Sequence, residues 1–435
     1  MYNAMNYEKV PEGALIVGEN QYYSRDSFKT KLNNNVLVVG TSGTGKTRSI
    51  VIPNILQATG SYVISDPKGY LYKSLAPYLK GKGYNVLKMD FIHPEKSYRY
   101  NPIEYCKTTS DIRRIAHSIV FEISGSSSFD PFWDQASEIL LSACLGYIIE
   151  SDMKQKDKNI FKVLDLIKLA NRVSGEGARG RSLLDKLMED LEAQKEKKGG
   201  RSWAVDRYNE YNTCGDRTQA SINISTLSKF SSFDTLEMRK MLSGNDLDFE
   251  KIGQEPTALF VEVSDTDRSS DVIINLFYSQ IMNTLCAYAD EKCENNRLKV
   301  PVQFILDDFA TNAKIANFEN SIANIRSRGI STMLMVQSES QIMASYDRNA
   351  QTIIDNCDTY VYMGGSNPRM AENIAMRANK PATKILHMPL SMSWIFRRGQ
   401  EPIFVNNFDL EWFLNEKGVV LGKAPKRWGF DRLKK

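Results

Sequence analysis

Histidine is scarce in this chain, with three residues in 435, and the six cysteines at 106, 144, 214, 286, 293 and 357 include no CxxC pair. No cysteine and histidine stand at metal-ligand spacing, which argues against a structural zinc. The cysteines lie mostly in apolar or helical surroundings and read as buried free thiols in a reducing compartment. Long hydrophobic runs are also missing. The longest, Ile139 to Ile149, is interrupted by Ser142 and Gly146 and falls short of the roughly 18–20 residues that cross a bilayer. The opening MYNAMNYEKVPEGALIVGEN scatters its charges and has no apolar core of signal-peptide length. Net charge is small at +4, with the basic residues spread along the chain, so composition neither demands nor forbids nucleic acid. A soluble cytoplasmic protein is the expectation. Its length allows more than one domain and a sizeable core.

Short apolar runs alternate with helical stretches in the first hundred residues. Val36–Val39 is continuously apolar, the pattern of a strand buried on both faces of a parallel sheet. Runs at 61–64 and 85–89 follow, and each leads to an aspartate, Asp66 and Asp90, at a strand end where ligands gather. From 106 to 233 strand character disappears. Asp130-Pro131 reads as an N-cap and first helical residue. The helix it opens carries Trp133, Ala136, Leu140, Ala143 and Tyr147 at helical spacing. Strand runs return at 258–263, 302–306, 331–336 and 359–363, with long helices between them, notably 270–293 and 318–328. The expected fold class is α/β: one mostly parallel-sheet domain (1–105 and 234–435) interrupted by an all-α insert (106–233). The basic stretch from Lys423 reads as a solvated tail.

Gly40-Thr41-Ser42-Gly43-Thr44-Gly45-Lys46-Thr47 matches GxxxxGK[ST] in full. Its glycines let main-chain N–H groups turn inward around phosphate oxygens, and the following helix presents the positive end of its dipole. The pattern assigns Lys46 to the β- and γ-phosphates of ATP and the Thr47 hydroxyl to Mg2+. An apolar strand before the loop and a helix-compatible stretch (48–56) after it supply the right context.

Phe304-Ile305-Leu306-Asp307-Asp308 is an apolar strand ending in two acids. Two acids after a strand also mark an ordinary turn. With the phosphate loop upstream, Asp307 becomes the magnesium candidate and Asp308 the residue that polarises the attacking water, on a strand expected beside the one feeding the loop. Aspartate at 308 is shorter by one C–C bond than the glutamate common there, about 1.5 Å. Gln337, after the run at 331–336, is a candidate γ-phosphate sensor or a plain polar strand end. Arg326 and Arg328, at the end of the expected 318–328 helix, suit either a neighbour's γ-phosphate in a ring or their own helix dipole.

Taken together these stretches resemble the TraG/TraD-like coupling ATPases of type IV secretion and conjugation. The resemblance is carried by GTSGTGKT followed by Pro53-Asn54, and by Ser65-Asp66-Pro67-Lys68-Gly69, with Tyr70 where the family's segment has glutamate. Tyr100-Asn101-Pro102, Asp130-Pro131-Phe132-Trp133, FILDDFA and the run from Asn324 to Gln341 add to it. It extends from about Gly18 to Asn406. It implies a RecA-like motor domain with an all-α insert, a homo-hexamer on activation and a possible monomer in isolation. It also implies ATP-driven pumping of single-stranded DNA with its relaxase to a secretion channel. The insert would dock relaxase or relaxosome proteins, and a channel ATPase or membrane partner would hold the chain at the cytoplasmic face. The transmembrane helices that usually open the family are not found here. Lys229, Arg239, Lys240, Arg397 and Arg398 are candidate pore-lining residues, or solvated surface. A nucleotide-gated substrate receptor with little hydrolysis and a double-stranded DNA translocase are the rival functions.

Overall fold

The computed structural model describes residues 7–124, 131–171, 181–309 and 315–422. The Asp130 cap and the tail from Lys423 lie outside the described residues. Two compact units divide the chain: 1–92 with 248–266 and 282–435, and 93–247 with 267–281.

Among its described residues the first unit has eleven strands: β1 (Leu15–Gly18), β2 (Gln21–Tyr23), β3 (Val36–Val39), β4 (Ser61–Ser65), β5 (Asn85–Asp90), β6 (Thr257–Glu262), β7 (Val302–Leu306), β8 (Ile330–Val336), β9 (Thr359–Tyr362), β10 (Met392–Arg397) and β11 (Ile403–Asn406). β1 and β2 form a small hairpin, and the other nine form one sheet in the order β11-β10-β9-β3-β8-β7-β4-β6-β5. From β9 to β5 every pairing is parallel. β10 runs against both β9 and β11. Every residue of β3, β4, β6, β7 and β9 is buried, as their largely apolar runs require, whereas the edge strands β5 and β11 are mostly exposed or half-buried. The β10–β11 hairpin, which sequence periodicity had not flagged, turns at Gly399 with φ +77°.

This order corrects one expectation. β7, the strand that ends in the two acids, is not beside β3, because β8 lies between them. The ends of the parallel strands nevertheless open on one edge of the sheet, so the loops after β3 and β7 share that edge with one strand between them. The helix expected over 318–328 is also shorter. It covers Phe318–Asn324, and the chain then turns through Gly329, at φ +78°, into β8.

Among its described residues the second unit has helices and no strand. The stretch 106–233 lies within it. Its central helix, Pro131–Glu150, buries Leu140, Leu141, Cys144 and Leu145 together. Gly146 lets the helix Trp203–Tyr211 pass close by, since a Cβ there would sit 2.8 Å from the Ala204 Cβ. Side-chain caps at Asn159, Ser182 and Ser202 start three of its helices. Among the described residues no helix is long and apolar enough to cross a membrane.

Candidate nucleotide site

The loop 40–47 leaves β3 at the middle of the sheet and is pinned on both sides. Gly40 N–H donates to the Val336 carbonyl at the end of β8 (3.1 Å), and Thr41 N–H donates to the Gly364 carbonyl just past β9 (3.2 Å). Gly43 and Gly45 hold φ at +87° and +91°, where a side chain is strained. Gly40 has no room for one, since an added Cβ would lie 2.7 Å from the Thr44 Oγ1. The loop thus keeps its shape by main-chain geometry, and Thr44 Oγ1 closes it from within by donating to the Thr41 carbonyl (2.9 Å). Ser42 lies exposed at its tip.

The helix begins at Thr47 with a wide turn in which Ile52 N–H donates to the Thr47 carbonyl five residues back. It continues as the α-helix Ile52–Leu56, which contains Pro53, a residue with no N–H to donate. This start aims Lys46 and Thr47 to the sheet's ligand edge. Lys46 is nearly buried at 8% exposure, and its Nζ donates to the loop's own carbonyls, Gly40 O at 2.5 Å and Thr41 O at 3.3 Å. Burial pushes its pKa below the usual lysine value, and the charges of Asp307 and Asp308 work against that shift.

Thr47 Oγ1 donates to Asp307 Oδ2 at 2.9 Å, across 260 residues of sequence. Asp307 is buried at the end of β7. Burial raises its carboxyl to about 6, the neighbouring Asp308 adds to the rise, and the Thr47 hydroxyl and Lys46 oppose it. Asp308 is half-buried and sits in the left-handed region at φ +52°. A hydroxyl and a carboxylate in hydrogen-bond contact, beside a buried ammonium and a loop with two positive-φ glycines, match the hard oxygen donors of Mg2+ and the cradle of a triphosphate. Residues 40–47 would hold the phosphates, and Thr47 with Asp307 would hold the metal. When bound, the nucleotide and ion would supply a phosphoryl group activated for transfer to water.

Gln337 follows β8 on the same edge, exposed, with its backbone N–H donating to Gln341 Oε1 at 2.8 Å. The two arginines are elsewhere. Arg326 and Arg328 precede β8, so they lie at the sheet edge opposite to this chain's own loop. Arg328 is clamped by Asp290 (Nε–Oδ1 2.8 Å, Nη2–Oδ2 2.7 Å), and Arg326 Nη2 donates to the Ser27 carbonyl at 2.9 Å. Both lie past the end of the shortened helix.

Asp66 and Asp90, expected near a ligand, have structural partners. Asp66 accepts from Tyr70 N–H (3.0 Å) and Tyr72 N–H (2.8 Å), holding the start of the helix Tyr70–Gly81, and burial raises its carboxyl to about 6. Asp90 and Glu262 flank the Lys88 ammonium at 2.9 and 3.2 Å. The pore candidates also change. Lys229 is buried and paired with Asp134 at 2.7 Å, so it cannot line a channel. Arg239 pairs with Asp234, Arg397 lies over the Tyr23 ring at 4.1 Å, and Arg398 is 3.0 Å from Asp358. Lys240 is exposed. Sequence reading gave no role to Ser65, the first residue of the Ser65–Gly69 segment, whose hydroxyl reaches the Asp307 carbonyl at 3.4 Å, and it missed Asn407, whose amide reaches the Thr44 carbonyl at 3.4 Å. No local motif marks Asn407.

Known proteins share this architecture. The plasmid coupling protein TrwB in complex with ADP and Mg2+ superposes with a TM-score of 0.66 at 15% identity, covering 92% of this chain and 90% of that one. VirB4 of Thermoanaerobacter pseudethanolicus superposes with a TM-score of 0.56 at 12% identity, covering 92% of this chain and 98% of that one. These likenesses establish a shared RecA-like α/β fold. Protein VirD4 of Rhizobium rhizogenes is 23% identical over 339 residues, which cover 75% of this chain and only 46% of VirD4. The chain therefore spans less than half the length of that curated relative. Residues 3–378 match the profile of the family described as Type IV secretory system conjugative DNA transfer, and the chain belongs to that family.

Proposed function

We propose that this protein is an ATP-driven coupling protein. On this reading it recruits a relaxase-bound substrate through its helical part (106–233) and pumps single-stranded DNA to a type IV secretion channel. The observation that carries the proposal is the contact between Thr47 Oγ1 and Asp307 Oδ2 beside the buried Lys46, in a chain of the conjugative DNA transfer family. The TrwB complex with ADP and Mg2+ supports the choice of nucleotide and ion.

In this mechanism the loop N–H groups bind and orient the phosphates. Lys46, now held by Gly40 O and Thr41 O, is the positive charge available to phosphate oxygens. Thr47 and Asp307 fix the metal position. Asp308 holds the attacking water and accepts its proton, with Gln337 as the sensor on the same edge. Arg326 and Arg328, distant from their own loop, act on the nucleotide of a neighbouring copy in a hexamer. Arg326 is the better placed, because Arg328 is already neutralised by Asp290. A secretion-channel ATPase or membrane partner holds the assembly at the cytoplasmic face.

ATP turnover measured against protein concentration, with and without single-stranded DNA, tests this reading. Turnover should rise with both and vanish in Lys46→Ala. ATP binding with no turnover under any of these conditions would favour the second reading, a nucleotide-gated substrate receptor. The short, left-handed Asp308 is the observation behind that alternative. Stimulation by duplex DNA alone would instead indicate a double-stranded DNA translocase.

A further inference from the structure

A cavity of about 260 Å3 opens in the first unit on the sheet edge opposite the phosphate loop, around the first residues of β4, β7 and β8. Three arginines line it, Arg25, Arg297 and Arg326, and no aspartate or glutamate is among the described lining residues. Three cations facing one cavity without an acid is an unbalanced charge arrangement, since enclosed charges are ordinarily paired.

The partners of Arg25 sharpen this. Its Nη1 donates to Gln303 Oε1 at 2.9 Å and its Nη2 to Asn54 Oδ1 at 2.7 Å, so both acceptors are neutral amides. Its Nε is shielded from solvent and has no hydrogen-bond partner. Gln303 is only 4% exposed, and its Nε2 has no partner either. The Arg25 contact fixes which way this amide points, because a flipped amide would set NH2 against a guanidinium donor. Burial depresses the Arg25 pKa, and no carboxylate charge acts to raise it. Among the described residues, Arg326 reaches the Ser27 carbonyl alone, and Arg297 the Ser327 carbonyl at 3.4 Å together with the Phe28 ring. The cavity thus collects positive charge, and its described lining residues offer neutral acceptors and no carboxylate.

We propose that this cavity is a binding site for a small oxyanion, inorganic phosphate or a phosphate monoester, held by Arg25, Arg297 and Arg326. Arg guanidinium forks suit phosphate oxygens, and one dianion balances cations that no carboxylate among the described lining residues balances. The site is separate from this chain's own phosphate loop, and it uses Arg326, so holding an oxyanion here and acting on a neighbouring copy's nucleotide are alternative roles for that side chain. Arg25 ties the site to the loop. Asn54 lies on the helix run that starts at Thr47, and Gln303 lies on the strand that ends at Asp307.

The test is calorimetric titration of inorganic phosphate into the full chain carrying Lys46→Ala, so that the loop is disabled, with chloride at matched ionic strength as the control. One saturable site per chain is expected. Adding Gln303→Glu places a carboxylate against Arg25. It should weaken phosphate binding by about tenfold or more, as loss of a charge-assisted contact does, while raising the melting temperature. Arg25→Gln should weaken binding similarly. Absence of saturable phosphate binding overturns the proposal. So does binding that chloride reproduces or that Gln303→Glu leaves unchanged. Saturation by an oligodeoxynucleotide lacking a terminal phosphate, where free phosphate fails, also overturns it.

Discussion

Asp307→Asn should make the nucleotide-free protein more stable near pH 8. In the folded chain the carboxyl is raised from 3.8 to about 6, chiefly by burial. A raised carboxyl means that the folded state binds the proton more tightly than the unfolded state does. Stability is therefore greatest below the unfolded value and falls as pH rises from about 4 to about 6, after which the loss is constant. Two pKa units correspond to about 3 kcal/mol at neutral pH. Asparagine removes the charge and keeps an oxygen to accept from Thr47 Oγ1 (2.9 Å in the native pair). The attraction of Lys46 is already contained in the value of about 6, so about 3 kcal/mol is the net gain expected. The assay is denaturant unfolding followed by a probe in the first unit, at pH 4 and pH 8, without nucleotide. The variant should gain at pH 8 and match the native chain at pH 4. Equal or lower stability at pH 8 would refute the claim that an enclosed charge is held here at a cost to the fold. The same variant should lose any stabilisation by Mg2+ with nucleotide, which separates metal holding from stability.

Three further outcomes are open to measurement. Asp308→Asn should leave the fold within about 0.5 kcal/mol, because asparagine tolerates the left-handed backbone as aspartate does, and nucleotide binding should persist while turnover is lost; retained turnover would remove Asp308 from the chemistry. In the helical unit, Lys229→Met alone should cost about 3–5 kcal/mol by stranding the buried Asp134 carboxylate. Lys229→Met with Asp134→Leu should recover most of that loss, and a double variant as unstable as the single one would show that the pair does not act as a unit. For the turnover experiment, Lys46→Ala is expected to bind nucleotide weakly and hydrolyse none, read out by phosphate release with single-stranded DNA present.

Much of the site was legible from residue types at fixed spacing. GxxxxGKT needs only eight consecutive positions, and of the three glycines in this stretch, 43 and 45 stand where the chain adopts positive φ. β3, β4 and β7 are equally local, since a strand covered on both faces reads as a mostly apolar run. β10 and β11 were harder to read, because edge strands with mixed burial carry a weaker pattern. The arginines were placed on a helix end that does not exist, because tertiary packing at the turn into β8 ended the helix at Asn324.

The sequence alone therefore determined the seven strands β3 to β9, the phosphate loop and the identity of the two acids, because each is written in contiguous residues. Only the folded chain decided that β8 separates β3 from β7 and that Thr47 nevertheless touches Asp307. It alone showed Lys229 to be buried against Asp134 and three arginines around one acid-free cavity. Those outcomes depend on strand order and on which charges share an enclosed space. Both are set by contacts between residues tens to hundreds of positions apart, which no local pattern encodes.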